Sequence, residues 1–286
     1  MATRRADDRR FDHGAQYFTI RDHRFARRVE AWRRDGVVAP WTGRVAVIEN
    51  GRTDLVETSV DRFVGVPGMN AVCRHLARDV NVAYEIRIQA LERESDGWRV
   101  CDGNGCELGR FDAVVVSAPA PQTAELVGDA APNLAARAAA VEMDPCWAVM
   151  TTFPGPLGLD FDGAFVNDSP LSWIARNTSK PGRPGHETWI LHASPGWSRR
   201  HLELDRKEAA TTLVESFRDA AGPFQMEPDF LLAHRWRFAL PLEALPDACL
   251  FDPQLRVAAC GDWCGGPRVE GAFLSGLAAA KRILGT

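Results

Sequence analysis

Apolar residues recur at helical spacing in two segments, at 68–80 and at 269–284. A third helix is predicted at roughly 206–221. For the helix at 269–284, the predicted buried stripe consists of Val269, Phe273, Gly276, Leu277, Ala280 and Leu284.

Strand-type patterns lie between these helices. Alternation predicts strands over 44–49 and 82–91, and one face of the second is formed by Val82, Tyr84, Ile86 and Ile88. An Asp-Gly-Asn-Gly turn between 98–101 and 107–110 predicts a hairpin. The unbroken apolar run 113–118, followed by Pro-Ala-Pro, is typical of a buried strand in a parallel sheet, with a ligand-facing loop at its C-terminal end.

Residues 141–240 have a different character, being rich in Trp and Pro with alternating polar positions. Strands are predicted there over 146–153, 164–167, 171–176 and 188–193. This pattern indicates an antiparallel sheet, and therefore a second, substrate-type domain.

Composition narrows the class of protein. The chain has 286 residues with 45% hydrophobic and 25% charged residues, which excludes a disordered chain or a coiled coil. A net charge of −4 gives no basic field for nucleic acid, and no apolar run is long enough to span a membrane. Seven cysteines without a CxxC pair or a secretion signal predict reduced thiols in a cytoplasmic protein, and no metal site is expected.

The most informative segment is 256–272, Arg-Val-Ala-Ala-Cys-Gly-Asp-Trp-Cys-Gly-Gly-Pro-Arg-Val-Glu-Gly-Ala. A strand predicted over 255–260 ends at Gly261-Asp262, and a glycine-rich turn leads into the last helix. Glycine at a strand end lets a ligand approach the backbone, and free amides at a helix start favour negative charge. Asp262 is suited to accept hydrogen bonds from sugar-like hydroxyls. The same spacing also suits a crossover in another α/β protein.

This segment resembles the C-terminal flavin-contacting motif of the flavin amine oxidase superfamily. The string Gly-Asp-Trp … Val-Glu-Gly-Ala-Phe-Leu-Ser-Gly resembles most closely the bacterial renalase-like proteins. Further similar stretches lie at 11–19, 64–70, 171–177, 191–194 and 233–236, so the resemblance covers most of the chain.

The resemblance implies a mixed α/β flavoprotein of two interleaved domains. A Rossmann-like, FAD-binding domain of the p-hydroxybenzoate-hydroxylase type is expected over 1–35, 62–135 and 250–286. An antiparallel-sheet substrate domain is expected over 36–61 and 136–249.

Noncovalently bound FAD is the implied cofactor. Carried over by position, Asp262 would hold the ribityl or pyrophosphate region, and the Val269 and Glu270 amides would face the flavin pyrimidine edge. The backbone of Ile88 would meet the adenine. The full set of implied cofactor-binding residues is Gly14, Ala15, Gln16, Ile88, Gly261, Asp262, Arg268, Val269 and Glu270.

The chain departs from this superfamily at its beginning. Members start with a strand, a Gly-x-Gly-x-x-Gly turn and a helix that hold the ADP pyrophosphate. The similar string at 103–108 fails at the third glycine and lies in the predicted hairpin. We therefore expect the first βαβ unit to be missing, FAD affinity to be reduced and a sheet edge to be exposed.

Candidate catalytic residues are few, because hydride transfer mainly requires two rings to be positioned and water excluded. His192 and His234 lie on predicted strands, where each could bind a substrate carboxamide, act as a base or simply pack. Trp263, beside the flavin motif, is the preferred candidate for an aromatic wall. For His13 a structural role is favoured, and Cys260 and Cys264 are read as buried thiols rather than a redox pair.

The leading hypothesis is a renalase-like enzyme that transfers a hydride from an isomer of a reduced nicotinamide dinucleotide to FAD, with O2 as the electron acceptor. The first alternative is a flavin amine oxidase acting on a primary or secondary amine. The second is a truncated, non-catalytic remnant that binds a ligand or partner without FAD. The sequence leaves the oligomeric state open.

Overall fold

The computed structural model describes residues 1–57, 60–183, 185–222 and 224–286. Its strands are β1 (Arg4–Ala6), β2 (Arg9–Phe11), β3 (Val38–Pro40), β4 (Val45–Glu49), β5 (Arg52–Leu55), β6 (Phe63–Gly65), β7 (Ile88–Arg93), β8 (Trp98–Asp102), β9 (Glu107–Phe111), β10 (Val114–Val116), β11 (Met143–Phe153), β12 (Gly163–Val166), β13 (Leu171–Arg176), β14 (Glu187–Ala193), β15 (Phe230–Pro241), β16 (Leu250–Asp252) and β17 (Val257–Ala259). Its α-helices are α1 (His23–Arg34), α2 (Ala71–Leu76), α3 (Ala120–Val127), α4 (Pro132–Ala139), α5 (Pro195–Arg200), α6 (Arg206–Ala221) and α7 (Val269–Leu284).

The chain forms two compact units. Unit 1 comprises Met1–Val80 and Pro145–Arg237, and unit 2 comprises Asn81–Asp144 and Phe238–Thr286. These units divide the chain differently from the predicted domains, because 1–35 and 62–80 belong to unit 1. Which segments bind cofactor and which bind substrate remains a prediction.

Unit 1 is built on a seven-stranded sheet with the order β15-β11-β14-β13-β12-β4-β5. Neighbouring strands are antiparallel from β11 through β14 and β13 to β12, whereas β12 and β4 run parallel. The antiparallel strands predicted from the alternating pattern are therefore confirmed.

Helix α6 covers one face of this sheet and has the predicted bounds. The Asp205 side chain begins it by accepting hydrogen bonds from the amides of Lys207 and Glu208. Its buried side chains pack into the core, where the Phe217 ring lies 5.0 Å from that of Trp189. Burial of these large aromatic rings stabilises the sheet–helix layer.

Unit 2 contains a three-stranded sheet, β10-β17-β16, and the antiparallel sheet β7-β8-β9. Strand β10 is parallel to β17, with Val114 opposite Val257, as predicted for the run 113–118. The hairpin predicted around 102–105 is also confirmed as β8 and β9. A mixed α/β fold is thus present.

Three local predictions are wrong. Strand β10 is at a sheet edge, so Val115 is 45% exposed rather than buried. Strand β7 begins only at Ile88, and the apolar side chains before it are exposed because, among the described residues, no strand pairs with 82–87. Helix α2 is shorter than predicted, ending at Leu76.

The stripe predicted for α7 is also wrong. The buried side chains of α7 are Glu270, Ser275 and Ala279. Ala279 packs on Ala258 and Cys260 at the end of β17, so a face of small residues is buried there. Helical spacing alone could not choose between this face and the more apolar one.

Candidate functional site

Strand β17, the turn that follows it and helix α7 correspond to the predicted strand–turn–helix segment in unit 2. We call residues 261–268 the C-terminal turn. Gly265 and Gly266 have φ values of +79° and +139°, which favour glycine. The Gly261 amide donates a 3.1 Å hydrogen bond to Ser275 Oγ and so ties the turn to α7. The structure therefore confirms a strand, a glycine-rich bend and a helix at Val269–Leu284.

The start of α7 is shaped by main chain rather than by a capping side chain. Arg268, at the N-cap, makes no side-chain cap hydrogen bond and is exposed. A Cβ at Gly271 would overlap the Gly266 carbonyl oxygen, so the turn passes unusually close to the helix. Val269 is half-buried and Glu270 is buried. An uncapped helix start favours a negatively charged group.

Asp262 is partly buried in this turn. Burial raises the pKa of its carboxyl group above the usual value. Among the described residues, no side chain donates a hydrogen bond to it. Its hydrogen bonds come from the backbone amides of Asp262 and Trp263. Hydroxyl groups of a ligand would add side-chain-type donors to this carboxylate, so the residues of the C-terminal turn fit the ribityl chain and anionic edge of a flavin.

A groove of about 400 Å³ lies elsewhere in unit 2. Ile88 lines it, together with the exposed side of β10 and the residues that follow, Ser117 and Ala118. Ile88 therefore lies at an apolar groove. Its contact with the adenine remains a prediction.

Trp263 is not placed as expected. Its ring is 1% exposed within the hydrophobic core of unit 2, and its Nε1 donates a 3.0 Å hydrogen bond to the Ala118 carbonyl. A side chain with no open face cannot form a wall for a ligand. We therefore correct its predicted catalytic role to a structural one, since it joins the C-terminal turn to the end of β10.

In unit 1, loop 11–18 contains the candidate cofactor-binding residues Gly14, Ala15 and Gln16, and a buried ionic cluster holds it. The Asp12 carboxylate accepts hydrogen bonds from Arg183 Nε at 3.1 Å and Nη2 at 2.5 Å. It also accepts from Thr3 Oγ1 at 2.7 Å and from the Met69 amide at 2.9 Å. Both charged side chains are almost completely buried. Despite burial, these neighbours hold the pKa of Asp12 below its usual value.

Lys180 extends this cluster. Its Nζ donates to Gln16 Oε1 at 2.9 Å and to Asn177 Oδ1 at 3.3 Å, and lies 3.9 Å from Asp12 Oδ2. Burial lowers the pKa of Lys180 to about 8. The Gln16 side chain also donates to the carbonyl of Gly14, 3.0 Å away. Gln16 therefore shapes the loop, whereas Gly14 and Ala15 are partly exposed.

Three imidazoles meet beside this loop and form, with Trp236, the histidine cluster (His13, His192, His234 and Trp236). The His13 ring lies 5.0 Å from His234 and 5.3 Å from Trp236, and His234 lies 4.3 Å from Trp236. Trp236 Nε1 donates to the His13 carbonyl at 2.9 Å. His192 contacts the His13 backbone, and its buried Nε2 has no hydrogen-bond partner.

The histidine cluster is neutral at physiological pH. Burial lowers the pKa of His192 and of His234 to about 4, and it also lowers that of His13. Cations act in the same direction: Lys180 on His192, and Arg4 and Arg206 on His234. Neutral imidazoles offer one donor and one acceptor each, so they suit polar, uncharged parts of a ligand.

The sequence placed His192 and His234 on strands, as the structure shows, and favoured a structural role for His13 over a role beside the flavin. It did not identify Lys180 and Arg183 as partners of Asp12. The signal for the ionic cluster was weak, because a lysine and an arginine near Asp12 in space are more than 160 residues away along the chain.

The described residues offer neither a membrane span nor a metal site. No helix in the described ranges is long and apolar enough to cross a membrane. Within those same ranges, no three His, Cys, Asp or Glu side chains are arranged to hold a metal ion.

Three solved structures have a similar fold. A candidate protoporphyrinogen oxidase from Exiguobacterium sp. 255-15 has a TM-score of 0.62 and 16% identity over 80% of this chain. Cyclohexylamine oxidase from Brevibacterium oxydans IH-35A has a TM-score of 0.59 and 16% identity over 78%. A putrescine oxidase bound to putrescine has a TM-score of 0.57 and 16% identity over 79%. This chain covers 54% of the length of each.

The family comparison covers almost the whole chain. The model of the flavin-containing amine oxidoreductases matches residues 6–284, which include both units and the C-terminal turn. FAD is the cofactor that this match implies, and the carboxylate and glycines of the turn fit it. The chain therefore belongs to the flavin-containing amine oxidoreductase family.

Proposed function

We propose that this protein is an FAD-dependent oxidoreductase whose substrate is an isomer of a reduced nicotinamide dinucleotide. The observation that carries the choice of substrate is the charge around the histidine cluster. Lys180 acts on His192, and Arg4 and Arg206 act on His234. Asp12, the carboxylate that acts on His13, is already paired with Arg183 and Lys180. Such surroundings favour a dinucleotide, which carries phosphates, over an ammonium ion.

We further propose that unit 2 contributes a Rossmann-like part of the FAD site, of the p-hydroxybenzoate-hydroxylase type. The parallel pair β10–β17 and the glycine-rich entry to α7 support this. Asp262 would hold the ribityl or pyrophosphate region noncovalently, the Val269 and Glu270 amides the pyrimidine edge, and Ile88 the adenine. Gly261 and Arg268 flank these contacts, and Gly14, Ala15 and Gln16 are the candidates in unit 1.

Bound FAD would supply the acceptor for a hydride and pass the electrons to O2, giving hydrogen peroxide. The chain's own residues would bind and orient the substrate and exclude water. The free Nε2 of His192 would hydrogen-bond a carboxamide, and His234 would add a second polar contact. Oxidation of a dihydronicotinamide releases no proton from a substrate ammonium group, so no charged base is required.

A second candidate, oxidation of a primary or secondary amine, is favoured by the fold. The similar structures include a cyclohexylamine oxidase and a putrescine oxidase. For an amine substrate, the neutral imidazole of His192 would have to accept a proton from the ammonium group. Rates with amines would then rise with pH.

The test is to reduce the FAD-loaded protein under anaerobic conditions and to monitor the reduction as a loss of flavin absorbance. Dihydronicotinamide dinucleotide isomers should bleach the flavin in a stoichiometric reaction, and cyclohexylamine or putrescine should not. Reduction by the amines alone would overturn the proposed substrate. Failure of the chain to bind FAD, measured by fluorescence titration, would favour a non-catalytic binding protein instead.

A further inference from the structure

Cys249 and Cys260 flank the hairpin formed by β16 and β17. In this antiparallel pair Leu250 is opposite Ala259, and Asp252 is opposite Val257. If the same register continued one step beyond the ends of both strands, Cys249 would lie opposite Cys260. The two thiols therefore belong to neighbouring chain segments, although eleven positions separate them in the sequence.

The backbone hydrogen bonds show what kind of cross-strand pair this is. The Cys260 amide donates to the Val116 carbonyl of β10 at 3.0 Å, so it faces away from β16. The Cys249–Cys260 pair is consequently of the non-hydrogen-bonded type. In such pairs the Cα atoms lie about 4.5 Å apart and the side chains approach each other closely. Disulfides need Cα separations of about 4.4–6.8 Å, so the backbone here is compatible with one.

Both thiols also lie on one face of the sheet. Cys260 is buried against Ala258 and Ala279, and Cys249 packs on the same cluster with Phe251 and Ile283. This is the face covered by α7. The side chains therefore point in the same direction, as a cross-strand disulfide requires.

The two cysteines differ in exposure, which suggests their order of reaction. Cys249 is partly exposed, whereas Cys260 is only 5% exposed. Burial raises the pKa of both thiols, to about 11 for Cys260. Near Cys249, Arg282 of α7 favours the thiolate and Asp247 opposes it. Cys264 is a third thiol, whose charge interacts with both Cys249 and Cys260, so it is the competing partner.

We propose that Cys249 and Cys260 are a modification site, a dithiol that a hydroperoxide oxidises to a disulfide next to the C-terminal turn. The Cys249 thiolate attacks one peroxide oxygen, the O–O bond breaks, and the leaving hydroxide takes up the thiol proton as water. The Cys260 sulfur then attacks the resulting sulfenic acid, the S–O bond breaks and a second water leaves. Two thiols and one hydrogen peroxide give one disulfide and two waters.

The cross-link would join the two ends of the β16–β17 hairpin. Gly261 and Asp262 follow Cys260 directly, so the disulfide would restrain the strand end that leads into the C-terminal turn. The proposal names its own oxidant and does not depend on the substrate proposed above.

The test is peptide mapping of the reduced full-length chain after treatment with hydrogen peroxide at mildly alkaline pH, which increases the thiolate fraction. Trypsin separates the two cysteines, because Arg256 lies between them. The expected product is peptide 238–256 linked to peptide 257–268, with fragment ions assigning the bond to Cys260 rather than Cys264. Dithiothreitol should reverse it.

Four single Cys→Ser variants identify which cysteines form the bond. Cys249→Ser and Cys260→Ser should each abolish the linked peptide, whereas Cys264→Ser and the exposed-site control Cys73→Ser should retain it. A Cys260–Cys264 bond, which would stay within peptide 257–268, would overturn the proposal. Over-oxidation of single cysteines or an unchanged map of the wild-type chain would overturn it as well, whatever the variants do.

Discussion

In unit 1 the loop 11–18 is held by charged side chains, whereas in unit 2 the C-terminal turn is held by glycines and main-chain contacts. Asp12 accepts hydrogen bonds from Arg183 and contacts Lys180, all three buried. In the C-terminal turn, by contrast, the closest approach is between Gly271 and the Gly266 carbonyl. A site can therefore be shaped either by charge complementarity or by the absence of side chains.

Different kinds of substitution should destabilise loop 11–18 and the C-terminal turn. A buried ionic cluster is sensitive to removal of one charge, because its partners are left without compensation. A glycine-shaped turn is sensitive to added atoms, because the backbone cannot move apart without breaking the helix start. Substitutions in the two regions should therefore have different effects on stability and on FAD binding.

The largest effect is expected for Asp12→Ala in unit 1. Its loss leaves Arg183 and Lys180 buried without their carboxylate, which should lower the free energy of unfolding by about 3–5 kcal/mol. Urea unfolding followed by circular dichroism measures this. Asp8→Asn is the control, because this carboxylate is 76% exposed and lies 3.2 Å from His186 at the surface. A stable Asp12→Ala variant would show that the cluster does not hold the loop.

The next effect is expected for Gly271→Ala in unit 2. The new methyl group would overlap the Gly266 carbonyl, so the variant should lose about 1–3 kcal/mol of stability and bind FAD more weakly. Gly276→Ala, on the same helix, is the matched control. A Cβ added at Gly276 would meet no atom within 4 Å, so this variant should gain about 0.5–1 kcal/mol from better helix propensity. Equal losses in both variants would contradict close packing at Gly271.

A third prediction concerns pH and the histidine cluster. Unfolded imidazoles take up protons near pH 6.5, but His192 and His234 do so only at about pH 4 when folded. The unfolded chain therefore binds more protons between these values, and stability falls as the pH drops through this window.

The loss at pH 5 relative to pH 7 should be about 2 kcal/mol for the buried His192, with a smaller addition from His234, which is partly exposed. The double variant His192→Asn, His234→Asn should show a flatter profile in urea unfolding, whereas His23→Asn, at an exposed position, should keep the wild-type slope. An unchanged slope in the double variant would mean that these imidazoles titrate alike in both states.

The smallest effect is expected for Trp263→Phe. The ring volume is largely kept, and the lost hydrogen bond to the Ala118 carbonyl should cost about 1 kcal/mol. Because the ring is buried in the core, the rate of flavin reduction should not change. A rate reduced tenfold with unchanged stability would return Trp263 to the substrate-contacting residues.

The sequence was a good guide wherever a local pattern suffices. Helix α6 has the predicted bounds because Asp205 caps it and one apolar face is continuous. Strand β13 and the Asp-Gly-Asn-Gly hairpin are predicted equally well from alternation and turn chemistry. The residues of the flavin motif could also be found, because strand, glycine turn and helix are contiguous in the chain.

Prediction failed where a residue's surroundings come from distant parts of the chain. Alternation over 82–88 predicted a paired strand, but pairing requires a neighbour, and the described residues provide none before Ile88. Trp263 was expected at a ligand because of its position in the motif, yet its ring packs in the core and its nitrogen binds Ala118. Burial depends on what packs against a side chain, which local sequence does not contain.

By itself, the sequence determined the mixed α/β class, helices α6 and α7, many of the strands and the glycine-rich turn before α7, since each depends on the order of neighbouring residues. Only the tertiary structure brought Lys180 and Arg183 to Asp12, three imidazoles to one cluster and Cys249 to the cluster that contains Cys260. Their charges, pKa values and reactivity arise from desolvation and from contacts between remote segments, and these exist only once the chain has folded.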